Sequence, residues 1–159
     1  MHILVSLNRL LRKFKLSKTN SISIIETNWS EQSDNILRIR EKVFIQEQAV
    51  PRHIEVDGKD SECIHFLIFI ESIPIGTARI KMDGKIERVS ILKNHRKKGL
   101  GYQLMKFIIN NAKEKGLERI YLHSQMDSIE FYKSLKFIKK GETFQEANID
   151  HVLMVLENE

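Results

Sequence analysis

A short strand, a basic loop with two glycines and a long amphipathic helix follow one another in this chain, and their order constrains the fold most. Residues 85–92 have the pattern of a strand, whereas Leu100, Leu104 and Ile108 recur at the spacing of one helix face within residues 99–115. The first N–H groups of a helix have no partner within it, and the helix dipole favours negative charge at that end. The segment therefore predicts an anion-binding loop.

The loop has the sequence Arg96-Lys97-Lys98-Gly99-Leu100-Gly101. Its basic side chains add positive charge, and its glycines let a phosphate approach the backbone without a Cβ in the way, so we expect it to hold a pyrophosphate. It lacks the residue order of a P-loop and the third glycine of the dinucleotide fingerprint, which excludes these two nucleotide-binding motifs. The alternative is that the glycines only permit close helix packing and that the basic residues form a solvated surface.

The other segments predict an α+β domain in which helices pack against a mostly antiparallel sheet. Ile73-Pro74 and Asp83-Gly84 are turn residues between successive strands. Asp127 and Glu130 have the spacing of a helix capping box, and Gly116 is placed to end the long helix. Strands are predicted near residues 21–25, 64–70, 75–82, 85–92, 120–123, 137–144 and 150–156, and two further helices near 36–44 and 127–135.

The composition is that of one ordinary soluble domain. Of 159 residues, 42% are hydrophobic and 30% charged, and a chain of this size buries about 70% of its surface without disulfides or metals. Cys63 is the single cysteine, so no internal disulfide can form, and we expect a packed thiol rather than a nucleophile. Apolar runs fall far short of the roughly 18 residues of a membrane-spanning helix, so we expect a cytoplasmic protein without stable membrane insertion.

The net charge of +5 comes from residues 1–20, which hold five basic residues and no acidic one, while the rest of the chain is neutral. Because the folded part carries no basic excess, we expect no nucleic-acid partner. Residues 1–20 also have apolar side chains at helical spacing and predict a basic amphipathic extension ahead of a single domain at 21–159. This extension is a helix packed on the domain, a flexible segment, or a surface anchor or targeting presequence.

The loop resembles the acetyl-CoA pyrophosphate loop of the GNAT superfamily of N-acetyltransferases, and the predicted element order is similar to that fold over residues 21–156. Two further stretches, residues 40–48 with the sequence REKVFIQEQ and residues 141–154, resemble the ElaA-like and YjcF-like branch. The resemblance implies a GNAT-type α+β fold, with a mixed, mostly antiparallel sheet of about six to seven strands flanked by helices on both faces. It also implies acetyl-CoA as the cosubstrate and no metal.

The resemblance further implies where the cofactor binds. In this family the strand before the loop splays from its neighbour, and its backbone hydrogen-bonds the pantetheine arm and can hold an oxyanion. Gln125 stands where a CoA-contacting Asn is common, and Lys136 stands where glycine is usual. The implied cofactor-binding residues are Val89, Ser90, Ile91, Arg96, Lys97, Lys98, Gly99, Leu100, Gly101, Gln125 and Phe131.

Two side chains are the candidates for catalysis. Tyr132 matches the family's tyrosine that assists the departing thiolate, the alternative being a core tyrosine beside Phe131. A phenol with a pKa of about 10 protonates a thiolate uphill by about 2 kcal/mol, so a hydrogen bond is the safer role. His151 resembles a histidine of glyphosate N-acetyltransferase-like relatives and is the first candidate for the base, the alternative being a strand residue with a satisfied ring. Glu87 and His123 are weaker base candidates.

Other charged residues have less specific roles. Arg40 and Arg88 are candidates for binding an anionic group of the substrate, with surface ion pairs as the alternative. Residues 49–62 are polar and predict a loop with at most a short helical turn. Four residues with metal-binding side chains lie in or beside it: Asp57, Asp60, Glu62 and His65. Their spacing fits neither an EF-hand nor a zinc site, so we expect a solvated loop.

The resemblance implies an enzyme that transfers an acetyl group from acetyl-CoA to a primary amine of a small molecule or peptide, by direct attack in a ternary complex. Because Gln125 and Lys136 depart from the family pattern, a non-catalytic acyl-CoA-binding sensor or interaction module of the same fold is the alternative. A third hypothesis is a membrane- or nucleic-acid-associated protein driven by residues 1–20. A homodimer is compatible with these hypotheses, and the sequence identifies neither acceptor nor oligomeric state.

Overall fold

The computed structural model describes residues 20–158, so the extension predicted for residues 1–20 lies almost wholly outside the described residues. The strands are β1 (Ile22–Thr27), β2 (Ile64–Ile70), β3 (Ile73–Ile80), β4 (Lys85–Ile91), β5 (Tyr121–Gln125), β6 (Phe137–Glu146) and β7 (Ile149–Leu156). The α-helices are α1 (Trp29–Arg40), α2 (Arg52–Glu55), α3 (Leu100–Glu114) and α4 (Ile129–Ser134). A π-helical segment (Glu41–Glu47) continues α1, and 3₁₀ turns cover Asp60–Glu62, Lys93–His95 and Met126–Ser128.

The seven strands form one sheet in the order β1-β2-β3-β4-β5-β7-β6. Neighbouring strands are antiparallel except β4 and β5, which are parallel because α3 connects them and returns the chain to the same end of the sheet. The predicted α+β class with a mixed, mostly antiparallel sheet is therefore confirmed.

Helices cover both faces of the sheet, as predicted. Phe66 of β2 is fully buried on the face where α3 packs and lies in one hydrophobic cluster with Leu104. The next residue along β2, Leu67, is fully buried on the opposite face, in a smaller cluster with Ile36 of α1. Consecutive strand residues point to opposite faces, so a strand buried on both sides carries a nearly continuous apolar run, which in β2 is interrupted only by His65.

Local signals explain where two helices begin and end. The helix α1 starts earlier than predicted because the side chain of Asn28 caps it, accepting a hydrogen bond from the Glu31 N–H at 3.0 Å. At the end of α3, Gly116 has a left-handed φ of 76°, and its N–H donates to the carbonyl of Lys113 at 3.0 Å. The predicted role of Gly116 as the residue that ends this helix is confirmed.

The predicted capping box at Asp127 and Glu130 is wrong. Residues 126–128 form a 3₁₀ turn, and α4 begins only at Ile129, with no side-chain hydrogen bond capping it. Asp127 is therefore one turn residue too early to act as the cap, and its carboxylate instead lines the cleft described below.

The short helical turn predicted within residues 49–62 is present, but the expectation of a solvated loop is wrong for Asp60 and His65. The segment contains α2 and a 3₁₀ turn, and Glu55 and Asp60 are only 2% and 3% exposed. His65, at the start of β2, is fully buried beside them. Buried carboxylates require hydrogen bonds and opposite charge, and arginines from distant parts of the chain supply both here.

Cys63 is buried, and burial raises the pKa of its thiol, which agrees with the expected packed thiol. Among residues 20–158, no helix combines the length and the apolar composition that a bilayer crossing needs.

Candidate active site

The sheet opens between β4 and β5. These parallel strands pair only at Lys85 with Tyr121 and at Ile86 with Leu122, and beyond these pairs they diverge. The divergence leaves a cleft of about 640 Å³. Its walls are formed by Val43, Phe44, Gln48, Val50, Ile54, Glu55, Lys85, Ile86, Glu87, Arg88, Val89, Ser90, Ile91, Arg96, Leu122, His123, Gln125, Asp127, Ser128, Tyr132, Glu146, Ala147, Ile149 and His151.

A bulge at Arg88 decides which backbone groups of β4 face this cleft. Arg88 has a φ of 58°, and the pairing of β3 with β4 shifts register at this point. Beyond the bulge, the N–H of Leu92 donates to the carbonyl of Ile75 in β3 at 2.8 Å. Because backbone groups alternate sides along a strand, those of Val89 and Ile91 point away from β3, towards the opening.

Ser90 is the third predicted cofactor contact on β4, and its hydroxyl already has hydrogen-bond partners. Its hydroxyl is buried and lies 3.4 Å from the carbonyl of Thr77 and 3.3 Å from that of Arg88. Its position between Val89 and Ile91 makes it part of the cleft wall.

The predicted anion loop adjoins this cleft at Arg96, whereas residues 97–101 are not part of the cleft wall. Lys97 and Gly99 have left-handed φ angles of 61° and 77°, and α3 begins directly afterwards at Leu100. The first N–H groups of α3 therefore face the loop without partners inside the helix. Lys97 and Lys98 are exposed, and the Lys98 ammonium lies 3.3 Å from the carbonyl of Asn94. Leu100 is buried, so it can contribute only its backbone.

The two glycines are not explained by close packing. A Cβ at Gly99 would meet no atom within 4 Å, so its left-handed φ is what requires glycine. A Cβ at Gly101 would lie 3.5 Å from Cζ of Phe131, which is ordinary van der Waals contact. The structure thus argues against the packing alternative and leaves the space above Gly99 open.

The side chain of Arg96, in contrast, is already occupied. Its Nε donates to the carbonyl of Ile91 at 2.8 Å, and its two terminal nitrogens donate to the carboxylate of Glu47 at 2.9 and 3.0 Å. Three of the five N–H donors of this guanidinium are thus used within the protein, so its contact with a phosphate stays a prediction that can use only the other two. Lys97, Lys98 and the N-terminal end of α3 supply further positive charge for an anion.

Tyr132 lies in the cleft wall near the anion loop. Its ring packs edge to face against Phe131 and Phe137, at centroid distances of 5.1 and 5.9 Å. Burial, and to a smaller extent the carboxylate of Asp127, raises the pKa of its phenol. Among the described residues its hydroxyl has no hydrogen-bond partner, so it is free to donate to a group in the cleft.

His151 is placed in the cleft wall with a defined tautomer. The residue is 8% exposed, and its Nδ1 lies 2.7 Å from the carbonyl of Ile149. A carbonyl can only accept, so Nδ1 carries the proton, and Nε2 of the neutral ring retains a lone pair. That arrangement suits a base.

The two weaker base candidates also line the cleft but are paired. Burial works against the charge of Glu87, yet hydrogen bonds and charges of Lys85 and Arg79 prevail and lower the pKa of its carboxyl. His123 lies with Nδ1 2.5 Å from Oε1 of Glu146. A carboxylate that is held ionised by two cations is a weak base, so Glu87 is poorly suited to the role.

Gln125 reaches the cleft, but its side-chain amide is engaged with Gln48. Gln125 Nε2 donates to Gln48 Oε1 at 2.8 Å.

Phe131 is half-buried between Gly101 and Tyr132 and lies against the start of α3. Lys136, which replaces the usual glycine, takes a φ of 69°, so the turn keeps the left-handed conformation with a lysine.

The expectation that Arg40 binds substrate is not supported by its position. Arg40 is 1% exposed and is absent from the cleft wall. Its Nε donates to Glu55, and its Nη1 donates to Asp60 at 2.6 Å. Both alternatives, substrate contact and surface ion pair, are wrong, because this arginine forms ion pairs inside the protein.

Arg88 does line the cleft, but its guanidinium is turned towards α2. Its Nε lies 2.7 Å from Oε2 of Glu55, and its Nη2 donates to the carbonyls of Ile54 and Glu55 at 3.3 and 3.2 Å. Any substrate group that Arg88 binds must compete with these contacts.

Sequence analysis missed three residues of this site. Glu47 and Gln48 hold Arg96 and Gln125, and Glu55 lies in the cleft wall, where burial raises the pKa of its carboxyl despite the nearby Arg40 and Arg88. Residues 40–48 resemble the family, yet their sequence pattern alone gives no partner for Glu47 or Gln48. Glu55 had no signal beyond its polar surroundings.

Comparisons with known proteins agree with this geometry. Residues 28–158 match the family described as "Acetyltransferase (GNAT) domain". Over 129 residues the chain is 33% identical to the uncharacterized N-acetyltransferase YjcF of Bacillus subtilis (strain 168), which covers 79% of this chain and 92% of YjcF. Escherichia coli ElaA superposes with a TM-score of 0.76 at 28% identity, over 85% of this chain and 99% of ElaA. A GNAT family acetyltransferase from Elizabethkingia anophelis with acetyl-CoA bound gives a TM-score of 0.65 at 17% identity, over 89% and 100% of the two chains.

Proposed function

Because the chain belongs to the GNAT acetyltransferase family and is an acyltransferase, we propose that it moves an acetyl group from acetyl-CoA to a primary amine by direct attack in a ternary complex. The observation that carries this proposal is the opening between β4 and β5, where Tyr132 and His151 lie in one cleft that also reaches Arg96.

The residues of the cleft fit acetyl-CoA, which supplies an activated thioester when bound. The N–H groups at the start of α3 and the ammonium groups of Lys97 and Lys98 suit a diphosphate. The backbone of Val89 and the N–H of Ile91 point into the opening and suit the amides of a pantetheine arm, whereas the carbonyl of Ile91 is held by Arg96. The bound acetyl-CoA of the Elizabethkingia anophelis protein supports the same choice of cosubstrate.

His151 is the proposed base. An alkylamine has a pKa of about 10 and is almost fully protonated at neutral pH, yet only its neutral form attacks a carbonyl. The unprotonated Nε2 of His151 can accept that proton, because the Ile149 carbonyl holds the ring in the Nδ1–H tautomer. A buried ring with a fixed orientation loses little entropy in this step.

Tyr132 is proposed to donate a hydrogen bond to the sulfur of the leaving group. Its raised pKa makes the phenol a weaker acid than free tyrosine, so complete proton transfer to a thiolate is disfavoured. A hydrogen bond that strengthens as charge develops on sulfur still stabilises the transition state. The backbone N–H of Val89 is proposed to stabilise charge on the carbonyl oxygen.

The test is release of the CoA thiol, followed with a thiol-detecting dye. The full-length protein is mixed with acetyl-CoA and a panel of primary amines, including small polyamines, amino acids and short peptides. We expect CoA release that depends on both acetyl-CoA and one class of amine. A folded protein that binds acetyl-CoA and releases no CoA with any amine would contradict the proposal.

A further inference from the structure

The end of the π-helical segment contacts both rims of the cleft. Glu47, the last residue of this segment, lies 49 residues before Arg96 in sequence and binds its guanidinium through two hydrogen bonds of 2.9 and 3.0 Å. Arg96 opens the anion loop, and its third donor, Nε, holds the carbonyl of Ile91 at the end of β4. One carboxylate thus fixes the side chain that joins β4 to the loop.

The neighbouring residue contacts the opposite rim. Gln48 accepts a hydrogen bond from the side-chain amide of Gln125 at 2.8 Å, and Gln125 is the last residue of β5. The two strands have no pairing with each other at this level, because their ladder ends at Ile86 and Leu122. The Glu47–Gln48 dipeptide is therefore a bridge between β4 and β5 where the sheet itself provides none.

We propose that Glu47 and Gln48 form a clamp that sets the separation of β4 and β5 and the position of the anion loop, so that Glu47 is a positioning residue for the acyl-CoA donor. This inference rests on the proposed function. Neither residue needs to touch the reacting atoms, because the clamp acts through Arg96 and Gln125.

Two physical effects of Glu47 have opposite signs, and this makes the proposal testable. As an anion near the loop, Glu47 opposes a diphosphate and neutralises Arg96, so removing its charge would tighten binding on electrostatic grounds alone. As a clamp, it holds the loop in one conformation before the ligand arrives, so removing it would weaken binding. The three simultaneous hydrogen bonds of the Arg96 guanidinium favour the second effect.

The decisive variant is Glu47→Gln, which keeps the shape of the side chain but cannot accept from both terminal nitrogens of Arg96. We expect its KM for acetyl-CoA and its Kd for CoA to rise about fivefold, while kcat stays within about twofold of wild type. Glu41→Gln is the matched control. It lies at the other end of the same π-helical segment and pairs with Arg52 on the surface, so both constants should stay unchanged.

A double-mutant cycle shows whether Glu47 acts through Arg96. Arg96→Gln alone should raise KM, and adding Glu47→Gln to that background should have no further effect. Hydrogen exchange of residues 92–99 without any ligand should be faster in Glu47→Gln than in Glu41→Gln, at an unchanged melting temperature.

Tighter or unchanged CoA binding in Glu47→Gln, or loop exchange equal to that of the control, would overturn the clamp. Failure of the wild-type protein to bind acetyl-CoA would instead overturn the proposed function. The two failures are distinguishable, because the exchange experiment needs no ligand.

Discussion

Arg40 of α1 and Arg79 of β3 share one carboxylate oxygen: Oδ1 of Asp60 accepts from Nη1 of both, at 2.6 and 2.8 Å. Arg79 also donates to Asp57 and Glu87, at distances of 2.7 to 3.1 Å. Both arginines are 1% exposed. These charges link the end of α1 to Asp60 and, through Arg79, to β3 and β4.

Removing Arg79 should therefore destabilise the protein strongly. Arg79→Met leaves Asp60 buried with one partner fewer, and breaking a buried ion pair from one side costs about 3–5 kcal/mol. Urea denaturation followed by circular dichroism measures the change. The control is Arg52→Met, which breaks the exposed pair with Glu41 and should have a small effect. Equal losses in the two variants would contradict a structural role for the buried cluster.

Stability should fall as the pH is lowered from neutrality. Burial lowers the pKa of His65, so below pH of about 6.5 the unfolded chain binds a proton that the folded protein does not, and the free energy of unfolding decreases. A second decrease is expected below about pH 4, because Arg79 and its neighbours hold the pKa of Asp57, Asp60 and Glu87 low against the opposing effect of burial.

Glu55 affects the free energy of unfolding in the opposite direction as the pH falls. Burial raises the pKa of its carboxyl, so its protonation favours the folded state as the pH falls and offsets part of the loss. Urea titrations at several pH values between 7.5 and 3.5 measure the free energy of unfolding and so give the net effect of these groups. A free energy of unfolding that is constant or increases from pH 7.5 to pH 5.5 would contradict the assignment to His65.

Tyr132→Phe should lower kcat by about a hundredfold while leaving the Kd for acetyl-CoA unchanged, because in the proposed mechanism the hydroxyl acts only when charge develops on sulfur. The control is Tyr121→Phe on β5, whose hydroxyl donates to Asp83 outside the cleft. Steady-state kinetics and calorimetric titration give the two constants. If kcat of Tyr132→Phe equals that of the control, the tyrosine has no part in the reaction.

His151→Gln should lower kcat/KM for the amine at neutral pH, and the loss should shrink as the pH rises towards about 10, where the amine is already neutral. His123→Gln serves as the comparison, since its ring also lines the cleft and is bound to Glu146. Measuring kcat/KM for the amine against pH in both variants decides which histidine acts as the base. A larger loss for His123→Gln would move the role of base to that residue.

Gly99→Ala should cost about 1–2 kcal/mol of stability, because alanine is strained at the left-handed φ of 77°. Gly116→Ala is closely matched, with a φ of 76° and no atom within 4 Å of the added Cβ, but it lies at the far end of α3. We expect similar shifts in melting temperature for both and weaker CoA binding only for Gly99→Ala. Equal affinities of the two variants for CoA would show that Gly99 is needed only for the backbone conformation and not for binding.

The parts of the structure that the sequence predicts well depend on neighbours in the chain. The fold class, the mostly antiparallel sheet and the role of Gly116 as the residue that ends α3 follow from strand and helix periodicity and from turn residues. The resemblance to the family, which rests on the loop and on residues 40–48, is confirmed by the comparisons with known proteins.

The errors concern partners that are distant in sequence. Arg40 meets Asp60 and Arg96 meets Glu47 only after folding, and no local pattern distinguishes such an arginine from one that is free to bind a ligand. The same is true of residues 49–62, whose polar composition suggests solvent exposure until the buried arginines are known. Tertiary charge pairing overrides the local signal at these positions.

On the proposed function, a donor bound between the diverging ends of β4 and β5 would be a structural component of the sheet as well as a substrate. A chain with amides of its own, inserted between the two rims, would supply rungs that the polypeptide omits and would act as a guest strand. Because such a donor would bind the folded protein and not the unfolded chain, binding would stabilise the fold. The melting temperature should therefore rise with donor concentration even when no turnover occurs.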